Sequence, residues 1–400
     1  LDNAKIRLSA GSMGNGNVDR YSYTSEMTVA TASDIVLGGG LPSYTTVGST
    51  VPVSLTWEKS TTYDLGLDLD FLNNRLSFSG DYYRRYTTDM YTPSISLPSV
   101  YGTTSPKGNN AELRTTGWEL SLTWRDSFKL GGKPFDYSIK AMVWDNRTVV
   151  TKYENATRSL GTLKGYIQNG GSPSDFYEGM ELGEMWGYTV AGLFRDQADI
   201  DSSATHDFTQ ASDKVTRPGQ VKIADLDHNG NIDPGAFTAD DHGDLSIIGN
   251  INPHYMFGVN LAANWNGIGL SVFLQGVMKR DWYPSPDSGY FWGKYARPFM
   301  WVLGIHNYTD DMYSKEKNNW DTAYWPRMTT YQSNSSYSWT KLLEIPNTRY
   351  KQNAAYLRVK NIQVDYTFPK ALCQKIRLGE LKIYLSGENL FTFTPLHKYA

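Results

Sequence analysis

The chain holds a single cysteine, Cys373, in 400 residues. One thiol excludes an internal disulfide and a thiolate zinc cluster, and Cys373 reads as a structural thiol. No segment approaches the roughly 18–20 consecutive apolar residues of a spanning helix, so a helical membrane protein is excluded. Positive charge is not in excess: 38 Lys and Arg stand against 41 Asp and Glu, a net charge of −3. Without a basic field to hold a polyphosphate, nucleic acid is not an expected partner. None of the six histidines stands in an HExxH pair, and both G-x-S-x-G and G-x-x-x-x-G-K-[ST] are missing. The chain does not read as an enzyme. An initiator Met and a basic-then-apolar leader are also lacking at Leu1 to Leu8. The expectation there is a processed front or a piece of a longer chain.

Aromatic residues and period-two alternation are abundant instead. Aromatics reach 14%, with 28 Tyr, 12 Trp and 15 Phe, beside 36 Gly. From Tyr63 to Phe71 every odd position is apolar and every even one is polar or Gly, which puts the two sets on opposite sheet faces. Asn73-Asn74 reads as a turn into a second alternating run, Arg75 to Tyr82. Trp118–Arg125 and Tyr137–Val143 read as partners through Gly131-Gly132, and Phe257–Trp265 and Ile268–Gln275 through Asn266-Gly267. Tyr356–Val359 and Ile362–Phe368 slip phase, which predicts a bulge at Lys360-Asn361. Leu381–Gly387 opens the last strand. About nine or ten strands follow, with helical periodicity nearly absent and only a short helical turn expected around Asp310 to Asn319.

The connections come in two lengths: short Asn- and Gly-rich turns, and long stretches at 17–56, 151–219 and 282–353. Soluble domains rarely carry such loops, whereas an outer-membrane barrel has short turns at one end and long loops at the other. The expected fold is therefore all-β: part of an antiparallel transmembrane β-barrel with long extracellular loops. Asp64, Asp68, Asp70, Glu119 and Arg125 are expected to face the lumen. Aromatics near strand ends fit interfacial girdles. The competing reading is a soluble or surface-displayed β-rich module that binds carbohydrate through exposed aromatics.

Trp57-Glu58-Lys59-Ser60-Thr61-Thr62-Tyr63-Asp64-Leu65-Gly66-Leu67-Asp68 resembles a strand of SusC-like (RagA-like), TonB-linked outer-membrane transporters. Asn109 to Glu119 resembles a second family segment, with Thr115-Thr116 where Asn-Lys or Asn-Arg is more usual. Gly219 to Asn250, Trp320 to Arg327, and Tyr356 to Phe368 with Ser386 to Phe393 are similar to three more, in family order. The resemblance implies a chain that is the later part of the barrel, about ten strands of about 22. The plug domain and first half-barrel would lie before it, and a last strand is expected after Ala400. It implies outer-membrane import, in a Gram-negative, Bacteroidetes-type cell, of oligosaccharides or peptides. The implied partners are a SusD-like surface lipoprotein, TonB and outer-membrane lipid. A siderophore or cobalamin receptor is the alternative within the class.

Two clusters carry possible chemistry. Asp225, Asp227, Asn229, Asn231 and Asp233 fall at positions one, three, five, seven and nine of a Ca²⁺-loop pattern, with Gly230 at six. Position twelve is Ala236, so Asp240, Asp241 or Asp244 would have to supply the missing carboxylate. An Asx-rich turn bonding its own backbone explains the same residues. No cofactor is otherwise required. In the aromatic segment 282–301, Trp282, Tyr290, Trp292, Tyr295 and Trp301 are candidates to contact substrate or lipoprotein, with loop self-packing as the alternative.

Overall fold

One antiparallel sheet of nine strands runs through the described residues, each long strand pairing with the next in the chain. The strands are β1 (Asn3–Asn15), β2 (Glu58–Phe71), β3 (Leu76–Pro93), β4 (Lys107–Leu130), β5 (Lys133–Lys152), β6 (His254–Trp265), β7 (Ile268–Lys279), β8 (Tyr356–Thr367) and β9 (Lys382–Phe393). The computed structural model describes residues 1–16, 24, 27–48, 55–93, 107–161, 175–206, 215–284, 291, 311–327 and 346–396.

The turns at one end are tight. Asn266-Gly267 joins β6 to β7 with φ of 48° and 86°, the doubly positive geometry that matches the twist of a hairpin. Gly131-Gly132 does the same between β4 and β5 at 59° and 77°. In the β2–β3 turn Leu72, Asn73 and Asn74 all lie near +60°, a region that asparagine tolerates best of the three side chains. The β8–β9 connection is longer and carries a short helix, α2 (Lys370–Lys375), which buries Cys373. Six residues are too few to display a 3.6-residue period, so this helix was not legible in the sequence. The predicted bulge is present: Val359 pairs with Leu274 and Asn361 with Phe273, leaving Lys360 outside the ladder.

The two faces of the sheet differ in chemistry. Leu8, Leu65, Tyr82 and Trp118 stand side by side in one row, and Arg7, Gly66, Asp81 and Glu119 in the adjacent row on the opposite face. The apolar face is uncovered among the described residues. Leu8 and Leu385 are 79% exposed, and Leu122 is 47% exposed. A sandwich would have buried these side chains.

Aromatic rings bound this apolar band. Towards the long connections lie Tyr63 against Tyr86 and Trp118 against Tyr255. Towards the tight turns lie Phe128 against Phe135 and Tyr366 against Phe368, and Trp124 Nε1 donates to the Tyr137 hydroxyl. Trp118 and Phe128 are ten residues apart on β4. That is roughly 33 Å of strand, or about 25 Å of height at a 40° tilt.

The protein core lies elsewhere. The described residues of connections 153–253 and 280–355 pack together into a loop body with its own buried cluster, including Met185, Trp186, Tyr188, Ile232, Leu245, Trp325 and Tyr350. Short ladders frame it: Glu184–Tyr188 with Leu245–Asn250, Val190–Leu193 with Val221–Ile223, and Asp281–Trp282 with Gln352–Asn353. A five-residue helix, α1 (Gln197–Asp201), is capped by Asp196, which accepts from Asp199 N at 2.8 Å. Within the expected helical turn at 310–319, the described residues form a turn in which Asn318 N donates to Ser314 O.

Candidate functional site

The polar face is a connected lattice. Arg7 on β1 bonds Asp68 on β2 (Nε to Oδ2, 2.8 Å) and reaches Asp81 on β3 (Nη1 to Oδ1, 2.8 Å). Ser79 donates to the other oxygen of Asp68 at 2.7 Å. Gly66 lies between Arg7 and Asp81, and a Cβ there would sit 2.6 Å from Arg7 Cζ. Glycine leaves the space through which the guanidinium crosses a strand. At the far side of the sheet Lys382 bonds Asp365 at 2.9 Å, and Gly269 leaves room for that carboxylate.

All five residues expected on one face share it. Asp64, Asp68 and Asp70 alternate along β2, and Glu119 on β4 falls in the row of Asp81. Arg125 follows Glu119 at even spacing, with its N–H bonded to Arg75 O. Sequence reasoning left out Arg7 and Asp81, although each lies in phase with polar neighbours. Alternation sorts residues by face, but only the register brings β1 and β3 together across β2.

The Asp225 segment is an acidic turn built on its own backbone. Asp225 Oδ2 accepts from Gly230 N at 3.0 Å, Asp227 Oδ1 from Asn229 N at 3.0 Å, and Asn229 Oδ1 from Asn231 N at 2.7 Å. Asp233 Oδ1 accepts from Gly235 N at 2.7 Å. Asp244 folds back into the segment, accepting from Leu226 N and Asp233 N. Its carboxylate and those of Asp225 and Asp227 present oxygens within 4.8 Å of one another. Asp244 is fully buried, and burial raises its pKa above the ordinary carboxylate value. Asp225 Oδ1 is buried without a hydrogen-bond partner. The group has the oxygen chemistry of a hard-cation site.

Of the aromatic candidates, Trp282 is half-buried in the ladder against Gln352. Tyr290, Trp292, Tyr295 and Trp301 lie outside the described residues. Their described neighbours are packing residues. Phe291 meets Trp325 edge-on at 5.1 Å, and Trp325 stacks on Tyr350 at 5.5 Å. Asn347 Nδ2 donates to the buried Tyr283 hydroxyl at 2.8 Å. Arg327 N donates to Gly219 O at 2.7 Å, and the Tyr313 ring covers Gly219, so the two long connections are tied together.

Beside these, Glu184 accepts from Trp186 Nε1 at 2.9 Å and from the Tyr177 hydroxyl, and burial raises its pKa. His206 is buried, which lowers its pKa; its Nε2 accepts from Ile223 N at 3.1 Å.

Residues 2–240, more than half of the chain, match the family model described as TonB dependent receptor-like, beta-barrel. The chain belongs to this family. It is 26% identical over 396 residues to TonB-dependent receptor P3 of Formosa agariphila, covering 98% of this chain and 35% of that protein. It is 28% identical over 240 residues to TonB-dependent receptor SusC of Bacteroides thetaiotaomicron, covering 59% of this chain and 22% of SusC. The fold is similar to that of the RagAB peptide transporter (TM-score 0.66, 19% identity), over 99% of this chain and 38% of that one. A RagAB importer in an open-open state matches with a TM-score of 0.68, over 99% of this chain and 37% of that one. The chain thus spans about a third of the length of P3. The relatives named here are receptors or transporters, not enzymes.

A TonB-dependent receptor barrel crosses the outer membrane with strands. Its outward band is apolar and bounded by aromatic girdles, and its interior is polar. That accounts for an exposed Leu8 beside a hydrogen-bonded Arg7. It also accounts for a loop body confined to the end away from the tight turns.

Proposed function

We propose that the chain is the later part of an outer-membrane, TonB-dependent importer of oligosaccharides or peptides. One observation supports this most directly: in a continuous nine-stranded antiparallel sheet, the paired rows put a lipid-compatible face on one side and a charged, hydrogen-bonded face on the other. In this reading the charged face lines a hydrated path. The loop body meets substrate and a SusD-like lipoprotein, with Trp282, Tyr290, Trp292, Tyr295 and Trp301 offering rings for stacking. TonB supplies energy through parts of the protein beyond this chain. Similarity to SusC favours an oligosaccharide and similarity to the RagAB peptide transporter favours a peptide. The test is uptake by cells carrying the full-length gene, offered labelled oligosaccharides and labelled peptides, with and without TonB. TonB-dependent uptake of one class supports the reading. Absence of the protein from the outer-membrane fraction refutes it.

The acidic turn is read as a Ca²⁺ loop that holds the external body. Asp225, Asp227 and Asn229 provide oxygens from the turn, with Asn231 and Asp233 alongside. Asp244 takes the role of the missing twelfth-position carboxylate. The buried, unpartnered Asp225 Oδ1 favours a cation over a purely backbone-bonded turn.

A further inference from the structure

One edge of β5 changes partner on its way up the wall. Its ladder with β6 ends at Trp144, opposite Met256. From Thr148 the same edge pairs with the loop body: Leu182 N donates to Thr148 O at 2.8 Å, and Val150 N to Met180 O at 2.9 Å. Asp145 falls in the seam between the two partners. Its Oδ1 accepts from Tyr255 N at 3.3 Å, where a ladder bond would otherwise stand.

His254 lies across this seam. It opens β6 and is buried. Its Nδ1 is 2.8 Å from Asp145 Oδ1 on the wall, and its Nε2 is 3.6 Å from Glu181 Oε1 on the loop body. Glu181 is bridged to Val149 through its backbone and accepts from Asn250 Nδ2 at 3.2 Å. One imidazole therefore stands between carboxylates of two different parts of the molecule. A neutral ring carries a single N–H. Donated to Asp145, it leaves a lone pair on Nε2 facing the Glu181 carboxylate. An imidazolium carries two N–H groups and can donate to both.

The surroundings are charged. The ring borders a cavity of about 350 Å³ whose walls include Tyr255, Arg147, Glu184, Lys279, Asp281 and Lys351. Lys351 pairs with Asp281 at 3.0 Å, and Glu184 accepts from Trp186 Nε1 and the Tyr177 hydroxyl. Arg280 Nε donates to Ile251 O at 3.1 Å. With all of them ionised, the carboxylates of Asp145, Glu181, Glu184 and Asp281 outnumber the cations of Arg147, Lys279 and Lys351 by one. An imidazolium at His254 supplies the missing charge.

We infer that His254 is a proton-operated bolt: protonated, its second N–H closes on Glu181 and fastens the loop body to the barrel wall, and neutral, it lets the seam loosen. Acidity around the long connections then sets how firmly the body is held at this point. The direction is opposite to that of His206, deeper in the loop body, whose burial favours the neutral ring.

The experiment is hydrogen exchange of the full-length protein in detergent, read by mass spectrometry over 144–150, 179–184 and 250–256. The pH runs from about 8 to about 5, across the ordinary titration range of imidazole, with correction for intrinsic rates. The wild-type seam is expected to exchange roughly tenfold more slowly at the acid end, the worth of one hydrogen bond to a charged group. His254→Gln cannot titrate and should flatten this profile. Glu181→Gln should flatten it from the other end, because its amide can donate to the neutral Nε2 and raise protection at alkaline pH. His206→Asn should leave the seam's profile unchanged. Heat-modifiable migration checks folding. If His254→Gln does not fold, Glu181→Gln, at a partly exposed position, carries the test. Faster seam exchange at acid pH in the wild type overturns the proposal. So does a wild-type profile retained by either folded seam variant.

Discussion

Arg7 crosses over Gly66 to pair with Asp81, two strands away in the same sheet. Three strands are thus stapled on the polar face by one guanidinium, which also holds Asp68. The pairing depends on a missing side chain as much as on the charges. Gly66→Val should therefore destabilise the wall more than Asp81→Asn. Overpacking at Gly66 costs about 1–3 kcal/mol, whereas a partly exposed ion pair contributes little. Heat-modifiable migration of the two variants checks the order, and an equal or reversed order would sink the argument.

Calcium should protect the Asp225–Asp233 segment. Limited proteolysis in millimolar calcium is expected to spare cleavage there that chelator permits. Asp244→Asn should remove most of that protection, because it deletes a charge from the buried member of the group. Identical digestion with calcium and chelator would eliminate the cation reading.

Acid should loosen the loop body around His206. Burial holds this imidazole neutral, with a folded-state pKa below the unfolded value of 6.5. Its stabilising contribution is therefore complete above 6.5 and is lost as pH falls through the lower folded value. Hydrogen exchange over 204–232 should accelerate between neutral pH and about pH 5 after correction for intrinsic rates. His206→Asn should blunt that acceleration.

Trp325→Ala should open the loop body without opening the wall. The ring is fully buried between Phe291 and Tyr350, and such truncations cost about 3–5 kcal/mol. New protease sites are expected in the long connections while heat-modifiable migration is retained. Loss of the barrel signature would show that the two parts fold as one.

The wall was legible in the sequence because its physics is local. Tyr63–Phe71 alternates cleanly, since one face meets lipid and the other water, and Asn266-Gly267 spells out its own turn. The strands nevertheless run further than expected, β3 to Pro93 and β4 back to Lys107. Beyond the girdle polar and apolar residues mix on both faces, as Arg114 beside Leu113 and Arg84 near Tyr86 show, so the alternation that marks a strand is lost. Asp244 could be named only as one of three options, because its approach to Asp225 depends on how the intervening turn closes. The burial of Trp186 and Trp325 depends on two connections meeting, and neither segment encodes that alone.

The segregation of the protein core into the loop body has a practical consequence. The wall is solvated by hydrocarbon outside and water inside, and the loop body buries its own side chains. Changing the detergent should move one transition. Changing calcium or acidity should move the other. A single melting temperature would be an average over two cooperative units, and mutational effects are comparable only within the same unit.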